Sequence, residues 1–313
     1  MNRYNLLIGA LALVMLSCRG GKSNAQSGLL STEETSKTKA VLLSANETTK
    51  AKVVTMYELP APLKDRPEQI LHKTGFTISY NAETKNPNWV AWHLTDAHTN
   101  GPHQRKQEIF SEDPSVKSPR ATNNDYYNSR YDRGHMCPAG DNKWSSESMR
   151  ESFLFTNICP QNHGLNKYEW NDLEILCRTW ARQYGSLDIV CGPIYHIPGD
   201  GSLTGGPVRT KKNRPPLCEP DPSVRTAPSS APQKTIGKNK IWVPIAFFKV
   251  ILCRKGNPKA IGFIYRNEGV KQPMEEAVYT VDEIEALIGI DFFPALDDSL
   301  EDKIESQSRL SDW

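Results

Sequence analysis

The run Asp132-Arg133-Gly134-His135-Met136 places a carboxylate, a guanidinium and an imidazole within four residues. Thr156-Asn157-Ile158-Cys159-Pro160-Gln161 follows about twenty residues later, and then come Leu165-Asn166, Trp170 and Leu173-Glu174. Hydrolysing a phosphodiester needs an activated water, neutralisation of the charge that builds on phosphorus, and help for the leaving oxygen. A histidine near neutral pKa suits the first task, and His135 stands beside Gly134, where the backbone can come close to a substrate. An arginine such as Arg133 offers forked donors to phosphate oxygens. A hard divalent ion serves as Lewis acid and template, and magnesium needs few protein oxygens because it keeps several waters. Asn166 and Glu174 supply such oxygens. On one continuous helix they lie about 80° apart around the axis and roughly 12 Å apart along it. That geometry disfavours two direct ligands but allows Asn166 to bind directly and Glu174 through water.

Each of these residues also has an ordinary explanation. A lone histidine is more often a satisfied structural or surface residue. Asn166 falls where a helix starts, and asparagine is a favoured N-cap. Glu174 can pair with Arg178 one turn on, worth a few tenths of a kcal/mol. His163 offers an imidazole three residues before Asn166. Imidazole in the ligand set would favour a transition metal over magnesium, and a surface loop is the plainer reading. The conjunction of all these residues within some forty positions is what favours chemistry.

Several elements must hold them. Phe76–Tyr80 and Trp89–Leu94 read as strands joined by the turn-rich Asn81–Asn88, and residues 95–130 as a long polar excursion leading into Asp132. Phe153–Ile158 reads as a short strand. A helix opens at Asn166; Trp170, Leu173, Cys177, Trp180 and Tyr184 form its buried stripe, and Gly185 ends it. Leu187–Tyr195, Ile241–Leu252 and Ile261–Tyr265 read as central strands, and Val281–Ile288 as a terminal helix. No internal repeat and no βαβ regularity is present, which favours one α+β domain.

These motifs resemble the DNA/RNA non-specific endonucleases, the family of secreted bacterial sugar-nonspecific nucleases and mitochondrial endonuclease G. The Asp132–His135 run, Thr156–Gln161, Leu165-Asn166, Trp170 and Leu173-Glu174 carry the likeness. Asn88–Ala91, Cys191–Ile194, Ile236–Lys240 and Phe247–Val250 add weaker echoes, in family order over about residues 50–290. The resemblance implies a ββα-metal (His-Me finger) fold around a central, mainly antiparallel sheet flanked by helices. It implies magnesium-dependent cleavage of DNA and RNA, with manganese able to substitute. His135 would be the general base, Asn166 the direct metal ligand and Glu174 the holder of a metal-bound water. Arg133 and Asn157 would support the site or face phosphate, and Asp132 would orient the loop. Arg105 best matches the family's upstream arginine. Cys137 and Cys159 each lie two residues past a proposed site residue, and a disulfide between them would brace the site.

The N-terminus reads as an export signal ending at residue 18, with Arg3, the apolar stretch Leu6–Leu16, and Ser17 before Cys18. Its eleven apolar residues are too few for a bilayer span, which takes about 20. Cys18 resembles the lipid-acceptor cysteine of bacterial lipoproteins, although Met15-Leu16 departs from the usual lipobox. The expected address is therefore extracytoplasmic, either on the periplasmic or cell-surface side of a membrane through a lipid on Cys18, or secreted. Six cysteines remain in what would be a disulfide-permissive compartment. Residues 19–50 read as a disordered linker, 51–295 as the nuclease domain with a long loop at 196–240, and 296–313 as a frayed acidic tail. Residues 271–313 hold twelve acidic and three basic side chains, leaving the rest of the chain with 35 basic and 24 acidic. A cationic body of that kind can hold a polyanion. The loop's Arg209, Lys211, Lys212 and Arg214 would extend such a surface.

The leading function is thus a non-specific endonuclease with DNA and RNA as substrates. Two alternatives stand beside it: a nucleic-acid-binding lipoprotein with the fold but no turnover, and a phosphodiesterase for small substrates. An intact His135 and Asn166 argue against the first, and a comparison of plasmid with small-ester hydrolysis separates the second. The sequence does not fix the oligomeric state.

Overall fold

The computed structural model describes residues 55–196 and 233–313. The export signal, Cys18, the linker, Cys218 and the basic loop residues Arg209, Lys211, Lys212 and Arg214 lie outside the described residues.

Seven strands form one sheet: β1 (Gln69–His72), β2 (Thr77–Asn81), β3 (Asn86–Thr95), β6 (Ser186–Ile194), β9 (Ala246–Cys253), β10 (Lys259–Arg266) and β11 (Val278–Tyr279). They lie side by side in that order, and every neighbouring pair is antiparallel. Two small antiparallel pairs stand apart from the sheet: β4 (Asp132–His135) with β5 (Ile158–Gln161), and β7 (Thr235–Ile236) with β8 (Ile241–Trp242). Helices α1 (Ser146–Ser152), α2 (His163–Lys167) and α3 (Glu169–Tyr184) lie between the strands in sequence. Helices α4 (Val281–Ile288) and α5 (Asp298–Glu305) close the chain.

Side-chain alternation along β9 shows how this sheet is covered on both faces. Phe247 and Ile251 point to one side and join Trp170, Leu173, Cys177 and Trp180 of α3. Ala246, Phe248, Val250 and Leu252 point to the other side and join Val281 and Ile284 of α4, Ile304 of α5, and Phe292 and Phe293. All eight β9 residues are buried, and each large apolar side chain so buried contributes about 1.5–3 kcal/mol. Trp170, Leu173, Cys177 and Trp180 form the stripe expected for α3, whereas Tyr184 is only half-buried and Ala181 joins in its place. The helix ends where Gly185, at φ +91°, donates back to the Ala181 carbonyl, a backbone angle suited to glycine.

The structure differs from the sequence reading in five places. Ile241–Leu252 is not one central strand: Ile241–Trp242 pairs with Thr235–Ile236 apart from the main sheet, and the sheet strand begins only at Ala246. Residues 153–157 are not strand: Phe155–Asn157 makes a 3-10 turn, and pairing begins only at Ile158. The helix expected to open at Asn166 is two helices. Asn162 caps the first by accepting from the Gly164 N–H, so Asn166 is an interior residue and not an N-cap. Tyr168, at ψ −90°, breaks the path before α3 begins. The acidic end is a helix packed through Ile304, with Trp313 against Trp180 at 4.6 Å. Lastly, Cys137 and Cys159 are not bonded; both are buried free thiols. In the β4–β5 register Cys159 faces Gly134, whereas Cys137 lies three residues beyond Gly134. At ~3.3 Å per residue that offset is roughly 10 Å, beyond the ~7 Å limit for a disulfide. The Cys137 sulfur instead accepts from the Asn142 amide at 3.3 Å.

Candidate active site

The antiparallel β4–β5 pair and helices α2 and α3 form a two-strand, helix unit. His135 ends β4, opposite Ile158. Its ring is 8% exposed, with Phe153 edge-on at 4.8 Å and Phe110 tilted at 5.4 Å. The Trp170 indole reaches the His135 carbonyl at 3.4 Å and ties this strand end to α3. Nε2 of His135 is buried without a hydrogen-bond partner among the described residues. Burial, and after it the Arg105 cation, pushes the imidazole down to about 3, so the ring is neutral and one nitrogen is available as an acceptor. Gly134 is required for a reason other than substrate approach. A Cβ there would lie 2.6 Å from the Gln161 Cβ on the facing strand.

Asp132, at the other end of β4, reaches across to α2. Its Oδ2 accepts from the Asn166 amide nitrogen and from His163 Nδ1, both at 2.9 Å. His163 is thus an exposed partner of Asp132, but it opens α2 and does not lie in a surface loop. The Asn166 nitrogen is occupied, and its amide oxygen has no hydrogen-bond partner among the described residues. A free amide oxygen beside a carboxylate is a donor set for a hard cation.

Glu174 projects from the first half of α3 and its side chain is 14% exposed. Burial pushes its carboxyl up to about 7, against the pull of the Lys249 and Arg178 cations. The pairing with Arg178 is present but loose, at 4.0 Å; Arg178 lies closer to Asp141 Oδ1, at 3.0 Å. The second Asp141 oxygen accepts from the Trp92 indole at 3.1 Å. Lys249, fully buried on β9, places its ammonium 4.4 Å from the Trp170 ring centroid and 5.6 Å from that of Trp92. Sequence reasoning missed Asp141, Lys249, Phe110 and Phe153. A lysine inside the apolar run Ala246–Cys253 was the one available signal.

The arginines differ in their freedom. Arg133 is held, with Nε donating to Asn123 Oδ1 at 2.9 Å and its guanidinium over the rings of Tyr126 and Phe110 at 5.4 and 5.6 Å. The Arg105 side chain is exposed, makes no hydrogen bond or ion pair among the described residues, and still lies close enough to depress both His135 and Glu174. Asn157 is fully buried. Its oxygen accepts from the Cys137 N–H at 2.9 Å, and its nitrogen donates to the Cys137 and Ser152 carbonyls at 2.9 and 2.8 Å. Its amide is spent on pinning the loop after His135 to the end of α1, which leaves nothing to offer a phosphate.

Comparison with known proteins gives concordant results. The profile of the family described as DNA/RNA non-specific endonuclease matches residues 55–299. Nuclease EXOG, mitochondrial, from Mus musculus is 34% identical, over 72% of this chain and 57% of its own length. Endonuclease G, mitochondrial, from Homo sapiens is 29% identical, over 72% of this chain and 70% of its own. The chain thus spans little more than half of the first of these relatives. The crystal structure of an EndoG/EndoGI complex, concerned with EndoG inhibition, superposes with a TM-score of 0.63 at 25% identity, covering 78% of this chain and 91% of that one. It identifies the α+β architecture as the ββα-metal nuclease fold. The relatives' names correct one expectation. They are mitochondrial nucleases, including those of Saccharomyces cerevisiae and Schizosaccharomyces pombe, and this overturns the extracytoplasmic placement read from the N-terminus.

Proposed function

Since this chain belongs to the DNA/RNA non-specific endonucleases, we propose that it hydrolyses internal phosphodiester bonds in both DNA and RNA with the help of magnesium. The buried, neutral imidazole of His135, whose Nε2 has no hydrogen-bond partner among the described residues, close to an arginine whose side chain pairs with none of them, is the observation that carries this reading. Held neutral, the ring takes the proton from the attacking water at Nε2. The negative substrate then offsets the Arg105 charge and the burial that disfavour imidazolium.

The donors fit a hard ion, because Asn166 presents an amide oxygen and Glu174 a carboxylate, with no thiol among them. Asn166 would hold magnesium directly and Glu174 through water, and the bound ion would supply Lewis-acid polarisation and charge neutralisation at the scissile phosphate. Asp132 acts by fixing the Asn166 amide with its oxygen free. Arg105 binds non-bridging phosphate oxygens, whereas Arg133 serves chiefly to shape the wall around His135 by stacking on Phe110. Asn157 positions the loop behind the base. Contacts of this kind go to phosphate and not to base edges, which suits cleavage without sequence preference.

Purified protein is expected to degrade supercoiled plasmid and RNA in magnesium, and EDTA is expected to abolish both activities. Activity on small phosphodiesters without activity on either polymer would refute the reading.

A further inference from the structure

On the sheet face opposite His135, α4 and α5 bring acidic side chains together. Asp282 and Glu285 come from α4 and Glu305 from the last turn of α5, and one carboxylate oxygen from each lies within 4.8 Å of the other two. Acidic clusters on a surface are ordinary, but here one member is withdrawn from water while Asp282 and Glu285 are half-buried. Glu305 is 4% exposed, its carboxylate is aimed at the other two, and its Oε1 is buried with no hydrogen-bond partner among the described residues. Glu301, one turn earlier on α5, also has a buried Oε1 without a partner. Glu285 spends one oxygen on the Phe292 N–H at 2.7 Å.

The charges acting most strongly on Glu305 are those of Glu285, Glu301, Asp282 and Asp291, and none is a cation. Burial and this mutual repulsion push Glu305 up to about 9 and Glu285 up to about 8. Buried carboxylates persist only if protonated or matched by positive charge. The ligand set is all oxygen, which selects a hard cation over zinc or copper. Calcium takes six to eight oxygens at about 2.3–2.6 Å in irregular geometry. Three side-chain oxygens within 4.8 Å of one another can share such an ion, with water completing its shell. Magnesium demands a tighter, near-octahedral arrangement.

We propose that Asp282, Glu285 and Glu305 form a calcium site that clamps α5 onto α4, separate from the phosphodiester-cleaving site. The ion would act on the end of the chain as a fastener. α5 contributes Ile304 to the apolar cluster that also holds Val281, Ile284 and Phe292, so neutralising the acidic seam secures that packing.

The test uses full-length protein stripped with EDTA and calcium chloride alone as the probe, read by thermal unfolding and titration calorimetry. Neither readout depends on nucleic-acid cleavage. Saturating calcium is expected to raise the Tm of the wild type and of Asn166→Ala by about 5 °C. It is expected to leave Glu305→Gln and Asp282→Asn unmoved, while Glu305→Gln keeps magnesium-dependent nuclease activity within twofold of wild type. Calcium that fails to shift Asn166→Ala, or that stabilises Glu305→Gln as much as wild type, would overturn the proposal. So would a Tm that rises in Glu305→Gln without calcium and responds to calcium in neither protein, since the seam would then be held by protons.

Discussion

Asp132 and Asn166 belong to different elements, β4 and α2, and are joined by one 2.9 Å hydrogen bond from the amide nitrogen to Oδ2. That bond decides which atom of the amide remains free. Asp132→Ala would release it, letting nitrogen and oxygen exchange places. The magnesium concentration needed for half-maximal activity is expected to rise about 10- to 100-fold, as for other residues that orient a metal ligand. An unchanged metal-activation curve would rule out this role.

His135→Ala is expected to lower kcat by about 10²- to 10⁴-fold, the usual contribution of a general base. Affinity for nucleic acid, measured in calcium or without metal, should hardly change, because the ring carries no charge. Ordinary turnover in the variant would remove the base assignment.

The same residue should leave a mark on acid stability. An unfolded histidine titrates near ~6.5, and folding lowers this one to about 3. Between those values the unfolded chain binds a proton that the folded protein refuses. The stability tied to the neutral ring is therefore complete above pH ~6.5 and is lost progressively as pH falls towards 3, at on the order of 1 kcal/mol per pH unit. Denaturant midpoints at pH 7 and pH 4.5 should fall more steeply for wild type than for His135→Phe. Parallel curves would contradict the assignment.

Arg105→Ala should weaken substrate binding about tenfold and leave the fold intact, since the side chain is exposed and pairs with none of the described residues. Losing one phosphate contact should also reduce the slope of log affinity against log salt by about 0.7–0.9. Arg105→Lys should restore the salt slope more fully than the rate, because a point charge lacks the forked geometry.

Asn157→Ala would strand three backbone groups, the Cys137 N–H and the Cys137 and Ser152 carbonyls. Each buried unmet group costs about 1–3 kcal/mol. A loss on the order of 3 kcal/mol is expected in urea unfolding, with activity falling in step with the displaced loop. A variant as stable as wild type but inactive would instead mean that Asn157 touches the substrate.

The candidate site was legible in the sequence where it rests on short-range spacing. The Asp132–His135 run, Asn166 and Glu174 lie within one supersecondary unit, and the apolar stripe of α3 is a period that any reader can count. What stayed hidden was set by distant contacts. Asp141, Lys249 and Phe110 meet Glu174 or His135 only because the sheet and loops bring them there. The break at Tyr168 follows Asn166-Lys167, a stretch with neither proline nor glycine to announce it. The final helix was concealed by its own charge. Ile304 is its one fully buried apolar anchor, so the acidic composition outweighed the pattern. The braced disulfide failed because cysteines near in sequence motif are offset along the ladder, a matter of register that spacing to a neighbouring site residue does not reveal.

Five cysteines, Cys137, Cys159, Cys177, Cys191 and Cys253, are sealed inside the described body as thiols, and burial holds their ionisation well above neutral. A thiol that neither ionises nor meets solvent is a poor target for peroxide, glutathione or iodoacetamide. The described body is therefore redox-indifferent, neither strengthened by oxidants nor loosened by dithiothreitol, and its sulfur chemistry opens only when the fold does.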